Sequence, residues 1–118
     1  VQVIALLLCA AGYALVTWAT ASNAYFSQIV RLQPERGHSV ATGGPYKFVR
    51  HPAYSGGILF DLAVPLLLGS WWALIPSGMS AVLFIIRTAL EDRTLQAELE
   101  GYPEFAKKVK FRLLPGVW

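Results

Sequence analysis

Charged residues are scarce in this chain and are missing from long parts of it. They make up 14% of the 118 residues, whereas soluble domains average about 25%. Residues 1–30 contain no Asp, Glu, Lys, Arg or His, and residues 57–86 contain only Asp61. Disordered tails and ordinary soluble domains do not leave such long stretches uncharged, so both classes are excluded. The sequence therefore predicts an integral membrane protein.

Cysteine is nearly absent as well. The single Cys9 excludes an internal disulfide and a thiolate metal site, and we interpret it as a small helix- or lipid-facing residue. His38 and His51 lack the spacing of a helical metal pair. No G-x-G-x-x-G motif follows a strand, and no serine lies in a nucleophile-elbow context. We therefore expect no metal site.

The basic residues are confined to two blocks. All ten Lys and Arg lie in residues 31–50 and 87–112. In a soluble protein the net charge of +3 would suggest nucleic acid, but Lys and Arg near membrane spans mark cytoplasmic loops. We expect both blocks on the cytoplasmic side of a multi-pass membrane protein, and we expect no nucleic-acid partner.

The apolar segments predict helices. Residues 1–30 are interpreted as a transmembrane helix, because the uniformly apolar part alone is about 33 Å long. Residues 31–55 contain five prolines and glycines before Pro52, and a loop is expected there. Residues 56–100 resume the helical pattern and are interrupted around Gly69.

The second apolar region is predicted to be a helical hairpin. Pro65, Gly69 and Pro76 interrupt it, and the first limb would be only about 20 Å long, too short to cross a bilayer alone. A hairpin that dips into the membrane fits this length. Gly101 ends the second limb, and residues 101–118 form an amphipathic tail. The fold class is therefore all-α integral membrane, in one domain that we expect to lack N-terminal helices of a longer protein.

Two groups of polar residues are candidates for a site. Pro52 suits the first position of a helix and places Arg50 and His51 at its N-terminus, where an anion such as a carboxylate is favoured. The alternative is a loop whose cations face lipid headgroups. Arg87 and Glu91 are i,i+4 neighbours at the end of an apolar helix, so they form either a site or a snorkelling ion pair.

Asp61 has the same two interpretations. It is the one charged residue within the apolar region 57–86. Its carboxylate could belong to a site or could make a polar contact between two helices. We favour the contact between helices.

These motifs resemble the isoprenylcysteine carboxyl methyltransferase and phospholipid methyltransferase superfamily of membrane enzymes. The resemblance covers residues from about 28 to 118. It rests on ordered features: His38-Ser39-Val40-Ala41-Thr42-Gly43-Gly44-Pro45-Tyr46, then Arg50-His51-Pro52-Ala53-Tyr54-Ser55-Gly56, an apolar hairpin, Arg87 with Glu91-Asp92 and Leu95, Gly101-Tyr102, and a Leu114-Pro115 ending.

The resemblance implies S-adenosylmethionine as cofactor, and it implies roles for particular residues. Arg87 would face the methyl acceptor and orient its reacting group. The residues that would contact the cofactor are His38, Ser39, Val40, Ala41, Tyr46, His51, Pro52, Ala53, Tyr54 and Glu91. The chain departs from the family pattern at Asp92, where a second Glu is usual, and around Arg31, where a Gln is usual.

The expected function is methyl transfer to a lipophilic membrane acceptor, with the site facing the cytoplasm. A carboxylate acceptor, as in an isoprenylated cysteine, needs no general base, whereas an amine acceptor needs one, for which Glu91 or His51 is the candidate. No dedicated base is evident, which favours the carboxylate. Phospholipid N-methylation, a non-catalytic membrane module and a membrane reductase with a nicotinamide cofactor are the alternatives.

Overall fold

A computed structural model describes residues 1–24 and 39–118, and within these ranges the chain is helical, with no strand. The all-α prediction is confirmed. The elements are α1 (Gln2–Ala21), a 3₁₀ turn (Gly44–Lys47), α2 (Pro52–Leu68), α3 (Leu74–Glu98) and α4 (Tyr102–Lys108).

Helices α1 and α2 pack tightly along their length in antiparallel directions. Their closest approach is at two glycines: a Cβ atom on Gly12 would lie 2.8 Å from the Gly56 carbonyl oxygen, and one on Gly56 would lie 2.7 Å from the Gly12 carbonyl oxygen. Further along, the Gln2 side chain donates to the Leu67 carbonyl at 3.5 Å. Small residues allow such backbone contact, which is how helices associate in an apolar solvent.

Helices α2 and α3 form an antiparallel hairpin joined by the turn 69–73. Phe84 packs against Gly57, and the Ser80 hydroxyl donates to the Asp61 carboxylate at 2.5 Å. Asp61 therefore makes the polar contact between helices that the sequence predicts. The hairpin brings the first turn of α2 beside the last turns of α3, and we call residues 50–54 and 87–98 together the polar end.

The hairpin differs from the predicted one in the start of its first limb and in the effect of two prolines, Pro65 and Pro76, which do not interrupt a helix. Helix α2 begins at Pro52, four residues before the predicted limb, and is about 25 Å long. Pro65 lies inside α2 and does not end it, and Pro76 lies in the first turn of α3, where no intrahelical N–H bond is needed. Gly69, at φ +69°, makes the break.

Helices α1 and α3 are long and apolar enough, by length and composition, to cross a membrane. Their outward side chains are largely exposed, among them Leu7 at 64% and Leu83 at 65%. A helix in the core of a soluble domain would bury such residues, whereas a lipid-facing helix exposes them. The placement of the hairpin within the bilayer stays a prediction.

The C-terminal residues fold back against the end of α1. Gly101, with φ +85°, turns the chain between α3 and α4. A hydrophobic cluster then joins α1, the 3₁₀ turn and α4. Its buried members are Ala19, Tyr46, Leu99, Tyr102 and Phe105.

We predict that Gly12→Ala destabilises the fold by about 1–3 kcal/mol, because the added methyl group must push α1 away from α2. Gly78→Ala in α3 is the matched control, since a Cβ atom there has nothing within 4 Å. Thermal unfolding in detergent measures both. Equal melting temperatures for the two variants would contradict the close helix contact.

Candidate functional site

The start of α2 is held by the C-terminal tail. The backbone N–H of Arg50 donates to the Phe111 carbonyl and that of His51 to the Arg112 carbonyl, each at 2.9 Å. The Ser55 hydroxyl donates to a third tail carbonyl at 2.6 Å. The two amides before Pro52 are thus occupied by carbonyl groups of the tail.

The carboxylate of Asp92 lies at the centre of the polar end and is 1% exposed. Side chains from the start of α2, from α3, from α4 and from the tail contact its two oxygens. They are Arg50 (Nη2, 3.1 Å), His51 (Nε2, 3.1 Å), Gln96 (Nε2, 2.8 Å), Tyr102 (Oη, 2.7 Å) and Arg112 (Nε, 3.2 Å).

These contacts explain the burial of several polar groups at once. Arg50 and His51 are 7% and 6% exposed, and a buried cation is tolerated only when it is paired and hydrogen-bonded. Asp92, in its ionised form, supplies that pairing for Arg50 and for the half-exposed Arg112. The guanidinium of Arg50 therefore faces Asp92, not lipid headgroups.

Two tyrosines that lie beside the polar end, Tyr46 and Tyr102, have a raised pKa and stay protonated. Burial raises the pKa of Tyr102 well above its usual range, and its hydrogen bond to Asp92 adds to the rise. Burial also raises the pKa of Tyr46, although the hydrogen bond from Asn23 at 3.1 Å opposes this. Tyr102 is therefore a permanent hydrogen-bond donor to the carboxylate.

A second contact group lies beside the first, between α2 and α3. The Tyr54 hydroxyl donates to the Glu91 carboxylate. The guanidinium carbon of Arg87 lies 5.3 Å from the centre of the Tyr54 ring, which is within cation–π range. The His51 ring is stacked with the Tyr54 ring, with the two centres 5.9 Å apart and the planes inclined by 13°. Glu91, Tyr54 and Arg87 are thus brought together as one group.

The other predicted site residues lie apart from these two groups of contacts. His38 lies outside the described residues. Ser39 is exposed, and Pro52 begins α2. The remaining four pack in or against the hydrophobic cluster: Val40, Ala41, Tyr46 and Ala53.

Reasoning from the sequence missed the central position of Asp92 and its contacts with Tyr102 and Arg112. The signal available was the pair Glu91-Asp92 itself. Neighbouring residues on a helix point about 100° apart, so two adjacent acids cannot face the same partner. Among residues 1–24 and 39–118, no group of three or more His, Cys, Asp and Glu side chains could hold a metal ion.

We predict that Asp92→Asn destabilises the protein by about 3–5 kcal/mol, because it leaves the cations of Arg50 and Arg112 without their counter-charge. Glu98→Gln is the control, since Glu98 is an exposed acid of the same helix. Thermal unfolding in detergent, with limited proteolysis of the tail, measures the effect. A melting temperature equal to that of the control would show that Asp92 does not anchor the polar end.

Comparisons with known proteins identify a family and two relatives. The model of the "Isoprenylcysteine carboxyl methyltransferase (ICMT) family" matches residues 3–97. The chain is 36% identical over 81 residues to the uncharacterized protein YpbQ of Bacillus subtilis, covering 67% of this chain and 47% of that protein. It is 33% identical over 86 residues to the protein-S-isoprenylcysteine O-methyltransferase of Schizosaccharomyces pombe, covering 71% of this chain and 36% of that protein.

The chain thus spans less than half the length of these two relatives. The family match nevertheless runs from the beginning of α1 to the last turn of α3, and it includes the start of α2 together with Arg87, Glu91 and Asp92. On this evidence the chain belongs to the isoprenylcysteine carboxyl methyltransferase family.

Proposed function

We propose that this chain forms the catalytic part of a membrane enzyme that transfers a methyl group from S-adenosylmethionine to a lipophilic acceptor. The acceptor we infer is a carboxylate, as in an isoprenylated cysteine. The observation that carries the proposal is the group Glu91, Tyr54 and Arg87, which puts an anion and a cation one helical turn apart beside an aromatic ring. Family membership supports it.

The side chains around Glu91 fit a cationic cofactor. Burial raises the pKa of Tyr46, and the negative charge of Glu91 adds to this rise. Glu91 also accepts the Tyr54 hydroxyl. A carboxylate beside the ring of Tyr54 is a favourable environment for an organic cation such as a sulfonium.

The residues that would hold the cofactor come from both sides of this carboxylate. Glu91 would contact it from α3 and Tyr54 from α2. The remaining contacts would come from the segment before α2 and from its first turn: His38, Ser39, Val40, Ala41, Tyr46, His51, Pro52 and Ala53. When bound, S-adenosylmethionine supplies a methyl group already activated by its positive sulfur.

Arg87 would bind the acceptor carboxylate by a two-pronged hydrogen bond and hold it in line with the methyl group. The acceptor oxygen carries no proton, so no base is required. This agrees with the state of the two candidate bases. Glu91 accepts a hydrogen bond from Tyr54, and Nε2 of His51 is in contact with Asp92 and Tyr102.

The apolar surroundings of Arg87 suit a lipid-borne acceptor. Arg87 directly follows an apolar stretch of α3 in which Leu83, Ile85 and Ile86 are exposed. We propose that the acceptor approaches from the bilayer along this surface and that the cofactor enters from the cytoplasm. The polar end then faces the cytoplasm in a multi-pass membrane protein, because it contains or adjoins both basic blocks.

The first prediction of this proposal concerns the cofactor. Calorimetry in detergent should detect binding of S-adenosylhomocysteine, and Glu91→Gln should weaken it at least about tenfold through loss of a charged contact. Glu98→Gln removes an exposed acid of the same helix and should bind as the unaltered protein does. The absence of binding to the unaltered protein would instead favour a non-catalytic membrane module.

The second prediction concerns the acceptor. Arg87→Ala should lower methyl transfer about 100-fold and leave binding of S-adenosylhomocysteine intact, because a charge-assisted two-pronged contact to the acceptor is lost. Arg93→Ala, at an exposed arginine of the same helix, is the control. A radiolabelled product that releases methanol in base identifies a carboxyl ester, whereas a base-stable product would identify N-methylation. Simultaneous loss of turnover and binding in Arg87→Ala would overturn the acceptor role.

A further inference from the structure

The C-terminal part of the chain, beyond the residues matched by the family model, makes side-chain contacts inside the polar end. The match ends at residue 97. Tyr102 and Arg112 lie beyond it, and both contact the Asp92 carboxylate. We call these two side chains, together with the tail carbonyls of residues 111–113, the C-terminal clamp.

Tyr102 has the more buried position in the clamp. It is 4% exposed, and its hydroxyl oxygen lies 2.7 Å from Oδ1 of Asp92 and 3.2 Å from Nε2 of His51. The ring packs edge-on against Phe105, with centres 5.6 Å apart. Packing of the ring therefore fixes the hydroxyl, and the hydroxyl in turn restricts both His51 and Asp92.

Arg112 contacts the same carboxylate, and its own side chain is more exposed to solvent than that of Tyr102. Its Nε lies 3.2 Å from Oδ2 of Asp92, and its guanidinium lies 4.9 Å from the centre of the Trp118 ring. Its backbone carbonyl accepts the N–H of His51. Arg112 thus contacts His51 through the backbone and Asp92 through the side chain.

The clamp reaches the proposed cofactor site through His51. The His51 ring stacks on Tyr54, and Tyr54 donates to Glu91. Neither clamp side chain is among the groups that would contact the cofactor or the acceptor. Any effect of the clamp on the site therefore passes through the groups that it contacts, which are His51 before α2 and Asp92 on α3.

We propose that Tyr102 and Arg112 are positioning residues that hold His51 and Tyr54 where the cofactor binds. The inference rests on the proposed function for its ligand. Because the α2 terminus has no side-chain cap of its own, the clamp supplies the contacts that keep its first turn in place. The residues that complete the site thus include a segment outside the family match.

The decisive variant is Tyr102→Phe, which removes one hydroxyl and keeps the packed ring. We expect the KM for S-adenosylmethionine to rise about tenfold, the equivalent of one buried hydrogen bond, with kcat nearly unchanged. A merely structural role would lower the amount of active enzyme, and hence kcat, without changing KM. Tyr13→Phe is the matched control, because Tyr13 is 67% exposed.

Arg112→Ala is a second variant, at a half-exposed side chain that is easier to replace without unfolding. It should also raise the KM for S-adenosylmethionine, whereas Lys110→Ala, at an exposed residue of the tail, should not. Hydrogen–deuterium exchange without ligand adds an independent measurement. The amides of Arg50 and His51 should exchange faster in Tyr102→Phe and in Arg112→Ala than in their controls.

The outcomes separate the two proposals. If the unaltered protein binds S-adenosylhomocysteine but the clamp variants change neither KM nor exchange at residues 50–55, the clamp is overturned and the proposed function stands. If the unaltered protein binds no S-adenosylhomocysteine, the proposed function fails, and the assignment of the clamp to a cofactor site fails with it. A raised KM with faster exchange supports the clamp.

Discussion

Asp92 keeps its carboxylate 1% exposed among two guanidinium groups, an imidazole, an amide and a phenol. Its position on α3 makes this one side chain the meeting point of the start of α2, of α4 and of the tail. Electrostatic contacts are strong where water is excluded, and an unpaired charge there is costly. These contacts at the polar end converge on the carboxylate of Asp92, and the guanidinium of Arg50 is buried because that anion is present.

The neighbouring acids of α3 have separate surroundings. Asp92 points to groups that belong to the protein, whereas Glu91 points to Tyr54 across the hairpin. The 100° turn between successive helical residues produces this division. It leaves Asp92 for contacts within the fold, and under the proposed function the local charge that a cofactor would meet is that of Glu91.

Features that depend on neighbours along the chain could be predicted from the sequence, and features that depend on distant partners could not. The first position of a helix was correctly assigned to Pro52 because proline has a fixed φ and no N–H. The polar contact of Asp61 also follows from its isolation in an apolar run. Four of the five partners of Asp92 lie 10 to 42 residues away, and periodicity carries no information about such pairings. The hydrogen bonds of the Arg50 and His51 amides could not be predicted for the same reason, because carbonyls near the end of the chain accept them.

The tail contacts of the first turn of α2 have a consequence for biosynthesis. The carbonyls of Phe111, Arg112 and Leu113 accept hydrogen bonds from Arg50, His51 and Ser55, so the donors are synthesised about sixty residues before their acceptors. Until those acceptors leave the ribosome, α1 and α2 can already pack through Gly12 and Gly56, but the polar end cannot close. Packing of α1 against α2 and closure of the polar end are therefore separate events, in that order.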